Sequence, residues 1–145
     1  MKTLIIYDSN YGNTKLVADE VGNSIGDNYK VVSTKDFNVS DLNGIDLLIF
    51  GSPIVGWRPT ESTQAVINSM KEKVAKGLCF TTFDTRVKLF IHGDAKEKMA
   101  SMLTAAGGKL VFEPQAFYVK GKLGPLFEGE LELAAKWAKL VKSKL

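Results

Sequence analysis

Three short stretches concentrate the residue types that could hold a flat, phosphorylated ligand. Ser9, Asn10, Tyr11, Gly12, Asn13 and Thr14 bring hydroxyls, amides and a flexible backbone together just before a helical period begins. The unpaired N–H groups and positive dipole end of a helix start favour a phosphate there. The run Gly51-Ser52-Pro53-Ile54-Val55-Gly56-Trp57-Arg58-Pro59-Thr60 presents Ile54, Val55 and Trp57 as an apolar and aromatic platform. Within it Gly56 can bring backbone close to a ligand and reorient its peptide. Phe83, Asp84, Thr85 and Arg86 join an aromatic ring to polar groups. Each stretch also has a plainer reading. Asn13 or Thr14 would be a helix N-cap, Trp57 and Phe83 would pack a loop, and Asp84 would cap the next helix or turn. The convergence of all three points to a pocket with a few polar groups among apolar walls.

The hydrophobic pattern brings these stretches to one place. Leu4 to Tyr7 is a near-continuous apolar run, as in a strand covered on both faces. From Thr14 the period turns helical, with Leu16, Val17, Ala18 and Val21 in one stripe and Lys15, Asp19 and Glu20 toward water. A second strand is expected over Tyr29–Thr34, one helical turn at Ser40–Leu42, and a third, buried strand from Asp46 to Gly51. Thr60 caps a helix running to Val74, with Glu61 in its first turn and Ala65, Val66, Ile67 and Met70 as its apolar stripe. A fourth strand covers Gly77–Phe83. The helix Ala95–Ala106 turns Met99, Met102 and Leu103 inward. A fifth strand, Lys109–Val119, breaks near Pro114, and a last helix, Glu128–Ser143, offers Leu131, Leu133, Ala134, Trp137, Leu140 and Val141 to the core. Such alternation predicts an α/β domain over 1–145, a three-layer, doubly wound, five-stranded parallel sheet in the order 2-1-3-4-5 with helices on both faces. Ligands bind such sheets beyond the carboxyl ends of the strands, where all three stretches stand.

Composition narrows the function classes. Of the 145 residues 45% are hydrophobic and 24% charged, and the net charge is +3. No run approaches the roughly 20 apolar residues of a membrane span, and the N-terminus lacks the regions of a signal peptide, so a cytoplasmic protein is expected. The lysines are spread along the chain, densest at Lys136, Lys139, Lys142 and Lys144, with no basic-aromatic stripe for nucleic acid. The single Cys79 sits in an apolar run and reads as an inert core residue. Neither nucleotide-loop pattern, Gly-x-x-x-x-Gly-Lys-Ser/Thr or Gly-x-Gly-x-x-Gly, occurs, and no metal-ligand spacing is present. His92 reads as a loop or capping residue, and Asp8 has no assigned role.

Ser9-Asn-Tyr-Gly-Asn-Thr14 resembles the Ser/Thr-x-Thr-Gly-x-Thr phosphate loop of the flavodoxin family. Gly51-Ser-Pro-Ile-Val-Gly-Trp-Arg-Pro59 resembles the loop bordering that family's flavin, and the likeness extends along the whole chain in its short form. The resemblance implies non-covalent FMN, with Ser9, Asn10, Tyr11, Gly12, Asn13 and Thr14 around its phosphate. The ring system would lie near Pro53, Ile54, Val55, Gly56, Trp57, Phe83, Asp84, Thr85 and Arg86. Tyr11 departs from the pattern, so one phosphate hydrogen bond is missing or comes from backbone. The positive charge departs from the acidic character of the family.

The resemblance implies a small monomeric electron carrier that shuttles single electrons between redox proteins through the flavin semiquinone and hydroquinone, with acidic partners suggested by the charge. The alternative is an FMN-dependent quinone or NAD(P)H reductase using the same site for two-electron transfer. Arg58 or Arg86 aimed at the ring would make the second reduction step less negative, whereas an arginine paired with Asp84 or Glu61 would not.

Overall fold

In a computed structural model, which describes residues 1–89 and 93–145, the chain alternates strand and helix. In order come β1 (Thr3–Tyr7), α1 (Asn13–Ile25), β2 (Tyr29–Ser33), a 3-10 turn (Val39–Leu42) and β3 (Leu47–Val55). They are followed by β4 (Arg58–Pro59), α2 (Glu61–Ser69), β5 (Cys79–Val87), α3 (Lys96–Ala105), β6 (Lys109–Leu110), β7 (Gln115–Val119) and α4 (Glu130–Ser143). The sheet runs β2-β1-β3-β5-β6, with β7 also on β5 and all of these pairings parallel. The order is the expected one. Among the described residues seven strands replace five because β3 folds back on the short antiparallel β4 and the last strand is split. The split falls before Gln115, immediately after Pro114, whose missing N–H cannot serve a ladder.

Strand alternation builds two cores. Leu4, Ile6, Leu48, Phe50 and Phe80 face Ile67, Met99 and Leu103 of α2 and α3. Ile5, Leu47, Ile49, Phe83 and Phe117 face Val17, Val21, Ala134, Trp137 and Val141 of α1 and α4. Each fully buried large side chain among them contributes on the order of 1.5–3 kcal/mol relative to exposure. Phe83, Phe117 and Trp137 meet edge to face with centroids 5.9 to 6.1 Å apart.

Several expectations about the helices are corrected. Leu16, Leu133 and Leu140 are exposed, because α1 and α4 show narrow stripes, Val17–Ala18–Val21 and Ala134–Trp137–Val141, to the sheet. Ala65 is exposed too, and Thr63, Ile67 and Met70 form the inner face of α2. α2 ends at Ser69 rather than Val74. Beyond it the amides of Met70, Lys71 and Lys73 bond three residues back, tightening the helix into turns.

Asp41 fixes the turn before β3. It accepts from Lys30 Nζ at 2.6 Å and from the Asn38 N–H at 2.9 Å, while Asn38 accepts from the Ser40 N–H. The Lys30 hydrogen bond and then the Asn38 bond hold its pKa below the ordinary carboxylate value. A lowered folded pKa stabilises above the unfolded value and is lost as pH falls through the folded one. Asp41→Asn is therefore expected to cost about 0.5–1 kcal/mol at neutral pH and to match the parent at strongly acidic pH, as read by denaturant melts.

Candidate functional site

The first loop is pre-shaped without capping the helix it feeds. The Asp8 N–H bonds to Gly51 O at 3.0 Å, and the Asp8 carboxylate accepts from the Ser9 N–H and from Thr60 Oγ1. Asp8 thus ties the loop to the start of α2, where Thr60 caps through the Thr63 N–H as expected. Ser9 Oγ accepts from the Gly12 N–H at 2.9 Å. Gly12 is the N-cap of α1 with φ 92°, and no side chain caps this helix. The capping alternative for Asn13 or Thr14 is overturned: Asn13 Nδ2 reaches Leu123 O, and Thr14 Oγ1 pairs with Thr85 Oγ1 at 2.8 Å. First-turn N–H groups of α1 stay available to an anion.

The second loop is a two-residue hairpin turn. Ile54 and Val55 pair with Pro59 and Arg58, and between them Gly56 (φ 60°) and Trp57 (φ 71°) are both left-handed. That is the pattern of a type I′ turn, which suits the twist of a hairpin. Glycine takes it freely, whereas a tryptophan there is strained by roughly 1–2 kcal/mol. The strain is held by α3 and the residues leading into it: Trp57 O accepts from the Asp94 N–H at 3.1 Å and from Lys98 Nζ at 2.9 Å. The Trp57 side chain is 57% exposed, so core packing does not explain it. Trp57→Gly is expected to stabilise the ligand-free protein by about 1 kcal/mol while weakening FMN binding, opposite signs that a thermal melt and a flavin titration read separately.

The third stretch is strand rather than loop. β5 runs on to Val87, and alternation sends Phe83 and Thr85 toward α1 and α4 and Asp84 and Arg86 toward α3. Phe83 is thereby corrected from ligand wall to core: its ring lies over Gly51, where a Cβ would come within 2.1 Å of it. Asp84 is fully buried, as in its capping alternative. It accepts from the N–H groups of Ala95 and Lys96 at 3.3 and 3.0 Å and takes Arg86 in a two-pronged pair. Asp94 accepts from the next amides, Glu97 and Lys98, and from Arg86 Nη2 at 3.0 Å. Burial opposes the Arg86 charge, but the hydrogen bonds and charges of Asp84 and Asp94 outweigh it and raise its pKa above the ordinary arginine value. The guanidinium is thus neutralised by two carboxylates, and Arg58 stands exposed on the hairpin.

A cavity of about 580 Å³ joins these parts. Ser9, Asn10, Tyr11, Asn13 and Thr14 line it with Pro53, Ile54, Val55, Gly56, Trp57, Thr85 and Arg86; Phe83 and Asp84 do not, and Gly12 stands behind as the α1 N-cap. Its size is that of a small-molecule site. Val87, Leu89, Gly93, Val119 and Lys122 also line it and escape the sequence reading. Val119 and Lys122 could have been found by applying the strand-end rule to the last strand as well. His92 lies outside the described residues. Among the described residues no group of three or more His, Cys, Asp or Glu side chains is placed to hold a metal ion, and no helix is long and apolar enough to cross a membrane. An uncapped helix N-terminus beside an aromatic turn fits a phosphate attached to a flat ring.

The flavodoxin domain family model matches residues 4–139. No curated protein matches the chain in sequence. Among solved structures, oxidised Flavodoxin 1 from Bacillus cereus is 19% identical, with a TM-score of 0.85 over 100% of this chain and 99% of that one. A flavodoxin from the domain Archaea is 17% identical at 0.82, over 99% of this chain and 98% of its own. A flavodiiron core from Synechocystis is 18% identical at 0.80, over 99% of this chain but 35% of its own.

Proposed function

The chain belongs to the flavodoxin family, whose cofactor is FMN, and from that premise we propose that it is a one-electron carrier between redox proteins. Bound FMN supplies the redox chemistry; the chain's own residues hold and screen it. Ser9, Asn10, Asn13, Thr14 and the first amides of α1 would receive the phosphate, with Gly12 giving the loop its left-handed bend. Ile54, Val55, Gly56 and Trp57 would wall the ring system on one side, and Thr85, Val87 and Leu89 would line the rest. Burying an apolar wall excludes water and leaves the rim open to a partner.

The observation that carries the carrier reading is how few proton-transfer groups stand among the described residues of the cavity lining. Among the described lining residues the side chains with an acid–base group are Tyr11, Arg86 and Lys122, and Arg86 is held by Asp84 and Asp94. A reductase that protonates its substrate is accelerated by a positioned acid, so a lining poor in such groups favours bare electron transfer. The reading extends to a cytoplasmic monomer whose partners are redox proteins. A lone, partly buried Cys79, which leaves no disulfide to form within the chain, supports the reducing compartment.

Anaerobic stepwise reduction of the FMN-loaded protein tests this. At half reduction the visible spectrum is expected to contain a long-wavelength band found at neither end point. A spectrum that is only the sum of the end points would transfer the protein to the quinone or NAD(P)H reductases. Failure to take up FMN would end the reading altogether.

A further inference from the structure

The cavity mouth combines exposed apolar surface with unmatched positive charge. The three most exposed large apolar side chains of the described residues are Leu123 at 69%, Leu89 at 61% and Trp57 at 57%. Leu89 and Trp57 line the cavity, and Leu123 follows Lys122, which also lines it. The cations on the same segments are exposed as well: Arg58 beside Trp57, Lys88 between Val87 and Leu89, Lys98 on the Trp57 carbonyl, and Lys120 and Lys122 after β7.

The carboxylates carried by those segments leave that charge largely uncompensated. Asp94 is occupied by Arg86 and the first amides of α3, and Glu97 lies 3.3 Å from Lys96. Glu128 is taken by Lys120 at 2.8 Å. No carboxylate lies among the described residues lining the cavity. Lys88 is exposed with its ammonium over two rings, 4.6 Å from the centre of Phe127 and 5.3 Å from that of Tyr118. An exposed apolar centre within a charged rim is the anatomy of a transient docking surface.

We propose that this face docks an acidic protein, whose carboxylates meet Arg58, Lys88 and Lys122 around the cofactor edge. The inference rests on the electron-carrier reading and deepens it by giving the sign of the partner. Electrostatic complementarity of this kind acts chiefly on the rate of encounter and fades with salt, and electron-transfer interfaces are small.

The test uses the FMN-loaded, dithionite-reduced protein and two oxidised haem proteins as probes, an acidic b-type cytochrome and the basic cytochrome c. In each encounter the flavin is oxidised by one electron and one ferric haem becomes ferrous, which stopped-flow absorbance follows. The rate with the acidic cytochrome is expected to fall about tenfold or more between low and high salt. With cytochrome c it should rise or stay level. Arg58→Glu with Lys88→Glu should slow the acidic acceptor about tenfold and speed the basic one, with the flavin spectrum and its stepwise reduction unchanged. Equal rates and equal salt slopes for the two acceptors, or a variant that transfers electrons like the parent, would overturn the docking proposal while leaving the carrier intact. Loss of the flavin spectrum or of the half-reduced band would instead indict the carrier reading.

Discussion

Asp84→Ala should melt roughly 10 °C or more below the parent. The substitution leaves Arg86, itself 7% exposed, without its two-pronged partner, and strips the N–H groups of Ala95 and Lys96 at the start of α3. Breaking a buried pair from one side costs about 3–5 kcal/mol, because the remaining charge stays in a poorly solvating place. For a chain of this size each kcal/mol corresponds to roughly 2–4 °C or somewhat more. Removing both charges with Asp84→Ala and Arg86→Met should recover much of the loss. Calorimetry of the ligand-free variants reads both, and a single variant that melts within a degree or two of the parent would show that the pair is not what holds α3.

The second large effect falls on binding rather than stability. Gly93 packs on the hairpin turn so closely that a Cβ would stand 2.2 Å from Trp57 Cα and 2.4 Å from its carbonyl carbon and oxygen. These are backbone atoms, which cannot rotate away as a side chain can. In Gly93→Ala the turn has to move off α3, lengthening the contacts from Asp94 and Lys98 to the Trp57 carbonyl. FMN must then restore the original turn against a strain of about 1–3 kcal/mol, so its Kd should rise roughly 5- to 150-fold. Flavin fluorescence quenching measures the affinity and far-ultraviolet circular dichroism checks that the fold persists. An unchanged Kd would mean that the Trp57 wall takes no part in binding.

What could be read from the residues, and what could not, divides along physical lines. The order of the sheet, the Thr60 cap and the break at Pro114 were legible because each depends on local pattern: apolar runs, a hydroxyl before an acidic first turn, a residue without an N–H. The phosphate loop was legible as a place, though not in its cap, since Gly12 rather than a side chain begins α1. Phe83 was misplaced for a different reason. Asp84, Thr85 and Arg86 look like the polar end of a strand, yet pairing with both β3 and β7 carries β5 through them, and their polarity is satisfied by α1 and α3 instead of water. A strand whose end is set by its neighbours leaves no mark in its own composition. Exposed Leu133 and Leu140 show the same limit, because the width of a buried stripe is decided by what packs on it.

The split last strand also limits what a strand from another molecule could pair with. An outermost strand presents open N–H and C=O groups that can recruit a strand from another molecule. Here that border offers two residues, Lys109 and Leu110, then Pro114, and along β7 the Tyr118 N–H is held by Glu130 while the Tyr118 carbonyl accepts from the Phe127 N–H. An incoming strand would lose its register at the proline before a stable ladder could grow. The opposite border, β2, is five residues long and carries Lys30, whose charge an approaching apolar strand would have to desolvate. The borders of the sheet therefore give an incoming strand little to pair with, whereas the mouth of the cavity keeps Trp57 and Leu89 exposed to whatever approaches it.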